Sequence, residues 1–102
     1  LYAKSKAARA LQHGKKRFPA GTLARVKRGA EVMRRDPAME RWNFWNTPRS
    51  YIVTVEEVDL GSDKYCTYVY WRSRKGELHF ANASDLEPVG ALEALGETGS
   101  DT

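Results

Sequence analysis

Between Tyr51 and Phe80 the chain repeats one pattern: a short run of β-branched and aromatic residues, then a cluster of turn formers. "YIVTVEEV" is followed by "DLGSDK", and "YCTYVYWRS" is followed by Arg74-Lys75-Gly76 and then "ELHFA". Side chains alternate faces along a strand, so Tyr68, Tyr70 and Arg72 share one face while Val69 and Trp71 share the other. Runs this short cannot make the long amphipathic helices of a bundle. They can bury their apolar faces only by folding a small sheet onto itself.

Upstream, "TLARVKRGAEVMRR" offers Leu23, Val26 and Val32 as apolar anchors. It predicts a first strand interrupted or bulged at Gly29 and ended by Asp36-Pro37. Residues 38–50, "AMERWNFWNTPRS", read as a loop, with Pro48 arguing against a central strand. "YIVTVEEV" is a strand with a bulge at Glu56-Glu57. Ser84, with Glu87 three residues on, predicts one capped helical turn before a short last strand at Pro88-Val89. The fold class expected is all-β: a small SH3-like β-barrel of about five strands, with that single helical turn before the last one. Val53, Val55, Val69, Trp71 and Phe80 are the core candidates. The organisation expected is a basic N-terminal arm over 1–20, the barrel over 21–89 and an acidic tail over 90–102.

Charge divides along the same lines. The formal net charge is +4. Residues 1–28 hold Lys4, Lys6, Arg9, Lys15, Lys16, Arg17, Arg25, Lys27 and Arg28 and no acid, whereas residues 86–102 hold Glu87, Glu93, Glu97 and Asp101 and no base. Basic arms of this kind meet nucleic acid, anionic lipid or acidic protein surfaces, or are simply solvated. Here His13-Gly14 breaks the helical pattern of "LYAKSKAARALQ", which predicts an extended arm, or a short helix that orders only against a partner. No apolar run approaches the roughly 18 residues of a membrane-spanning helix, and the start has no signal-peptide pattern. A chain opening on Leu1 fits a processed or trimmed start. Cys66 is the single cysteine and reads as a small buried apolar residue in a reducing compartment.

Catalytic chemistry finds little to stand on. His13 and His79 sit beside no nucleophile, no glycine loop could cradle phosphate, and no ligand cluster has metal spacing, so neither an enzyme nor a cofactor is expected. Binding chemistry is richer. Trp42, Phe44 and Trp45 crowd one segment, with Arg34, Arg35, Arg41 and Arg49 around it. Arg and Trp together suit a protein interface or stacked bases beside phosphates; a Trp folded back as a lid on the barrel would explain them equally. Arg72, Arg74 and Lys75 load one hairpin tip with positive charge, which an anionic partner would relieve.

The order of motifs resembles the photosystem I reaction-centre subunit IV (PsaE) family. "RGAEVMRRDP" at 28–37 is similar to that family's opening Arg-Gly-x-x-Val…Pro segment, "WNFWN" at 42–46 to its aromatic-Asn loop, and "VTVEEVD" at 53–59 to its Val-Asp strand. "KYCTYVYW" at 64–71 and "HFANASDLEPV" at 79–89 continue the series. A second register makes "GTLARVKR" at 21–28 the first strand. The resemblance implies a non-catalytic peripheral subunit on the stromal side of the chloroplast thylakoid, beside the photosystem I core and its stromal subunits. It helps acidic ferredoxin or flavodoxin dock transiently. In that reading Arg72, Arg74, Lys75, Arg34 and Arg35 meet the soluble carrier. Trp42, Phe44, Trp45, Lys15, Lys16 and Arg17 meet the core complex. The alternatives are a nucleic-acid-binding barrel of the integrase C-terminal, ribosomal or Tudor-like kind, and a structural subunit of another large assembly.

Overall fold

The computed structural model describes residues 6–36, 41–61 and 66–90. It is a small all-β barrel with one helix among the described residues, α1 (Lys6–Arg17). Eight short strands follow: β1 (Leu23–Val26), β2 (Glu31–Asp36), β3 (Arg41–Asn46), β4 (Tyr51–Thr54), β5 (Glu57–Leu60), β6 (Thr67–Arg72), β7 (Leu78–Asn82) and β8 (Leu86–Pro88). They form two antiparallel sheets, β4-β1-β8 and β3-β2-β7-β6-β5. The chain changes sheet three times within a single run: from β1 to β2 at Gly29, from β4 to β5 at Val55-Glu56, and from β7 to β8 across a 3-10 turn at Ala83–Asp85. Joining β1 to β2 and β4 to β5 leaves six runs: the five the sequence predicts for the SH3-like barrel, with the helical turn before the last strand, and β3, which the sequence reads as loop.

Backbone hydrogen bonds lock these corners. Lys27 N–H donates to the Asp85 carbonyl (2.9 Å), Gly29 N–H to Thr47 (2.8 Å) and Val55 N–H to Thr22 (2.8 Å). Alternation then fills the shell. Ala24, Val26, Val32, Val53, Val55, Val58, Val69, Trp71, Ala81 and Leu86 point inward and form one cluster. At the β6–β7 tip, Gly76 adopts φ 82°, a left-handed conformation that glycine takes without strain. The turn closes through Gly76 N–H to the Ser73 carbonyl (2.9 Å).

The expected extended or partner-ordered arm is instead a helix docked on this chain's own sheet. α1 packs mainly against β5 and also against β6. Gly14 is buried within it, where a Cβ would stand 2.7 Å from the Thr67 methyl and 3.1 Å from Val58. The glycine that looks like a helix breaker is what lets the helix approach. Leu11 packs against the core, and Phe18, just past the helix, is one of the largest fully buried side chains. The segment expected as a loop also differs. Arg41–Asn46 is strand β3, paired with β2 from Glu31↔Asn46 to Asp36↔Arg41. It lies at the sheet edge and ends before Pro48, so the proline removes no ladder bond. The helical turn is capped by Asn82, whose side chain accepts from Ser84 N–H (3.0 Å), not by Ser84. Cys66 is half-buried and precedes β6 rather than lying within it. Phe80 is buried, but on the outer side of the sheet against Tyr68 (5.2 Å) and Tyr70 (5.0 Å). The expected acidic tail over 91–102 lies outside the described residues.

Gly14→Ala should test the helix docking. Helix propensity alone favours alanine by roughly 0.5–1 kcal/mol, but overpacking against Thr67 should cost about 1–3 kcal/mol. Urea denaturation should therefore show a net loss, and Thr67→Ser, which deletes the opposing methyl, should shrink it in the double variant. A Gly14→Ala variant more stable than the parent would contradict a docked helix.

Candidate functional site

The barrel opens on one side into a groove of about 640 Å3. Its floor is aromatic. Trp71 lies there fully buried, with Tyr51 edge-on to it at 6.4 Å and His79 at 6.2 Å. Trp45 leans in from β3, its ring 5.1 Å from His79 at 79°. Pro48 and Arg49 form one rim, and Arg72, Ser73 and Arg74 of the β6–β7 tip form the other. No acidic side chain lines the groove among the described residues.

One wall is unusual. Tyr51, Ile52, Val53 and Thr54 all line the groove, the whole of β4 in succession. A strand seen from one face shows only alternate residues, so the groove runs along the edge of β4. β4 is the outermost strand of its sheet and pairs only with β1 there.

Three acids of the described residues are already paired. Arg25 bonds Glu87, Arg34 bonds Glu77, and Arg72 Nε donates to Glu56 (3.1 Å). These pairs are half-exposed, and each is worth at most about 1 kcal/mol of stability. Their larger effect is to cancel the charge of those three carboxylates. Arg49, Arg74 and Lys75 are exposed and make no ion pair with any described residue, so their charge is left for solvent or a ligand.

The residues singled out in the sequence therefore separate. Arg74 and Lys75 stand free at the tip. Arg72 is held back by Glu56 and by the Gly76 carbonyl (3.1 Å). Arg34 turns inward to Glu77, with its Nε buried and unbonded. Arg35 and Trp42 pair in register on β2 and β3, but their side chains lie outside the described residues. Trp45 lines the groove, whereas Phe44 projects from the opposite face of β3 and is 67% exposed. It heads an outer row, Phe44↔Met33↔Phe80↔Tyr70↔Glu57, that crosses the five-stranded sheet. Lys15, Lys16 and Arg17 are exposed in the last turn of α1, where cations complement the helix dipole, and Arg17 lies over the Phe18 ring at 5.0 Å. They are not part of the groove.

Sequence reading missed three groove residues. Tyr51 and His79 looked like ordinary strand positions, and Arg49 was seen only as a charge near the tryptophans. The available signal was Pro48-Arg49 just ahead of the strand that opens at Tyr51.

Among the described residues no group of three or more His, Cys, Asp or Glu could hold a metal, and no helix is long and apolar enough to cross a membrane. Burial pushes the Tyr51 hydroxyl up to about 12, so it stays a neutral donor throughout the physiological range. Burial also lowers the His79 pKa; Glu77 partly opposes this and Arg34 adds to it. The groove thus keeps a neutral imidazole against its tryptophans near neutral pH. No family model matches the chain, and no curated protein or solved structure matches it either.

A folded-state pKa below the unfolded 6.5 fixes a pH dependence. The unfolded chain takes up the His79 proton first as pH falls below 6.5, so stability drops until the folded imidazole also protonates. An NMR titration should place the His79 midpoint below 6.5. The melting temperature should decline from pH 7 to 5.5, and His79→Gln should flatten that decline. A midpoint above 6.5 would contradict the half-buried position between the tryptophans.

Proposed function

We propose that the chain is a non-catalytic docking module whose groove receives an acidic segment of a protein partner. One observation carries the reading: among the described residues, Arg49 and Arg74 make no ion pair and stand at the rims of an aromatic groove that no acid lines. Complementary charge speeds encounter and fixes orientation while leaving a complex weak enough to release. Trp45 and Tyr51 give the partner apolar contact area at low entropic cost, as interface aromatics do.

The resemblance of residues 28–89 to photosystem I subunit IV supplies a finer identity within this reading. The acidic partner becomes ferredoxin or flavodoxin, the site becomes the stromal side of the thylakoid, and the outer row headed by Phe44, with Lys15, Lys16 and Arg17, becomes the face toward the core complex. That identity rests on motif order alone, and its opening segment runs, over Glu31–Asp36, along a hairpin arm, while Leu23–Val26 is the strand that pairs with the last one. A second reading, nucleic acid, is favoured by the exposed cations of α1, which has no acid in its first turn.

Titrating the immobilised full chain with plant-type ferredoxin and with mixed-sequence DNA separates these readings. Ferredoxin should bind at low ionic strength and dissociate by about 0.5 M salt. The double variant Arg49→Glu/Arg74→Glu should bind it at least about tenfold more weakly. DNA retardation with a steep salt slope, unaffected by that variant, would move the function to nucleic acid and the α1 face. Ferredoxin binding indifferent to the variant would remove the groove as the docking site.

A further inference from the structure

We infer that the acidic partner binds by adding an extended strand to the free edge of β4. This rests on the groove reading above and specifies how the groove is used. The phase of the hydrogen bonds identifies the groups involved. Val89 N–H donates to the Leu23 carbonyl (3.1 Å), so Leu23 turns its backbone toward β8. In an antiparallel ladder successive residues turn to opposite sides. Ala24 and Val26 therefore face β4, where their partners are Val53 and Tyr51. The Val55 N–H bond to the Thr22 carbonyl (2.8 Å) fits the same phase. Ile52 and Thr54 consequently point their N–H and C=O groups away from β1, toward the groove.

Among the described residues these groups have no backbone hydrogen-bond partner. One step further along, Glu56 N–H reaches the Tyr70 carbonyl at 2.8 Å, so β6 covers the edge from there on. Before that point no ladder joins β4 to β6, and the residues of β4 and of the β6 end and tip, Trp71 to Arg74, line the groove together. An incoming extended segment fits it by geometry: four residues of strand span about 13 Å, the length of β4, and offer two residues whose backbones match Ile52 and Thr54. Exposed edges are templates for such pairing, and main-chain bonds supply affinity while side-chain positions supply selectivity. Here the selective positions are cationic. Arg49 and Arg74 flank the edge, no acid among the described residues lines the groove, and Glu56, Glu77 and Glu87 are each tied to another arginine. A segment alternating acidic and apolar residues would place carboxylates at the rims and apolar side chains over Trp71 and Tyr51.

The test uses the full chain and a blocked peptide of alternating Glu and Val, with two controls: the same peptide N-methylated at alternate residues, and its Lys-Val counterpart. N-methylation deletes backbone donors and leaves every charge in place. The Glu-Val peptide should bind, the Lys-Val peptide should not, and N-methylation on the pairing residues should weaken binding at least about tenfold, the value of two lost backbone bonds. N-methylation on the intervening residues should matter little. If both methylated forms bind as well as the parent while Arg49→Glu/Arg74→Glu still abolishes binding, strand addition is wrong and the groove reading stands. If the Glu-Val peptide does not bind at all, or single-stranded RNA displaces it competitively with tighter affinity, both fall.

Discussion

A single hydrogen bond marks where the barrel stops being closed. Glu56 N–H meets the Tyr70 carbonyl at 2.8 Å, and from there onward β5 and β6 run as a regular pair from Glu57↔Tyr70 to Leu60↔Thr67. N-terminal to it the chain bends into the other sheet and pairs with β1 alone. A small barrel must turn its strands through such corners to close around a core of a few large side chains, here Trp71, Phe18 and Leu86. The corner that completes the core also leaves a strand edge unpaired. The groove is a consequence of closing a short chain, and its chemistry is set by which side chains the neighbouring turns place along it.

Those turns sort the charges. Arg25, Arg34 and Arg72 lie on strands and meet Glu87, Glu77 and Glu56 across the sheet surface. Arg49 and Arg74 sit in connections, ahead of β4 and in the β6–β7 tip, and pair with no acid among the described residues. These three strand cations are therefore neutralised and the two turn cations are not, although all look alike in a list of residues. The same sorting separates the groove from α1, whose exposed Lys15, Lys16 and Arg17 lie beside β5.

The shell was legible because alternation is a local property. Val69 and Trp71 against Tyr68 and Tyr70 fixes the faces of β6, and the three turns fix its neighbours. What was not legible depended on contacts distant in sequence. Gly14 reads as a helix breaker until Thr67, far along the chain, is seen to need the space. Phe18 reads as part of a turn until it is found under the barrel. Trp45 and Phe44 are adjacent aromatics with nothing to tell them apart, yet the edge position of β3 sends one into the groove and the other out to solvent. Arg72 looked as available as Arg74 because the acid that holds it, Glu56, is sixteen residues away. The groove itself left little trace, since an unpaired edge is defined by the absence of a neighbour, and no pattern of side chains records that.

The central claim is therefore about backbone groups, and amide hydrogen exchange in the free protein tests it most directly. If β4 pairs on one side only, the Tyr51 and Val53 amides should be protected by their bonds to β1, while those of Ile52 and Thr54 should exchange orders of magnitude faster. Equal, strong protection of all four would mean that the edge is already covered, and the account of the groove as a vacant place for a partner strand would be wrong.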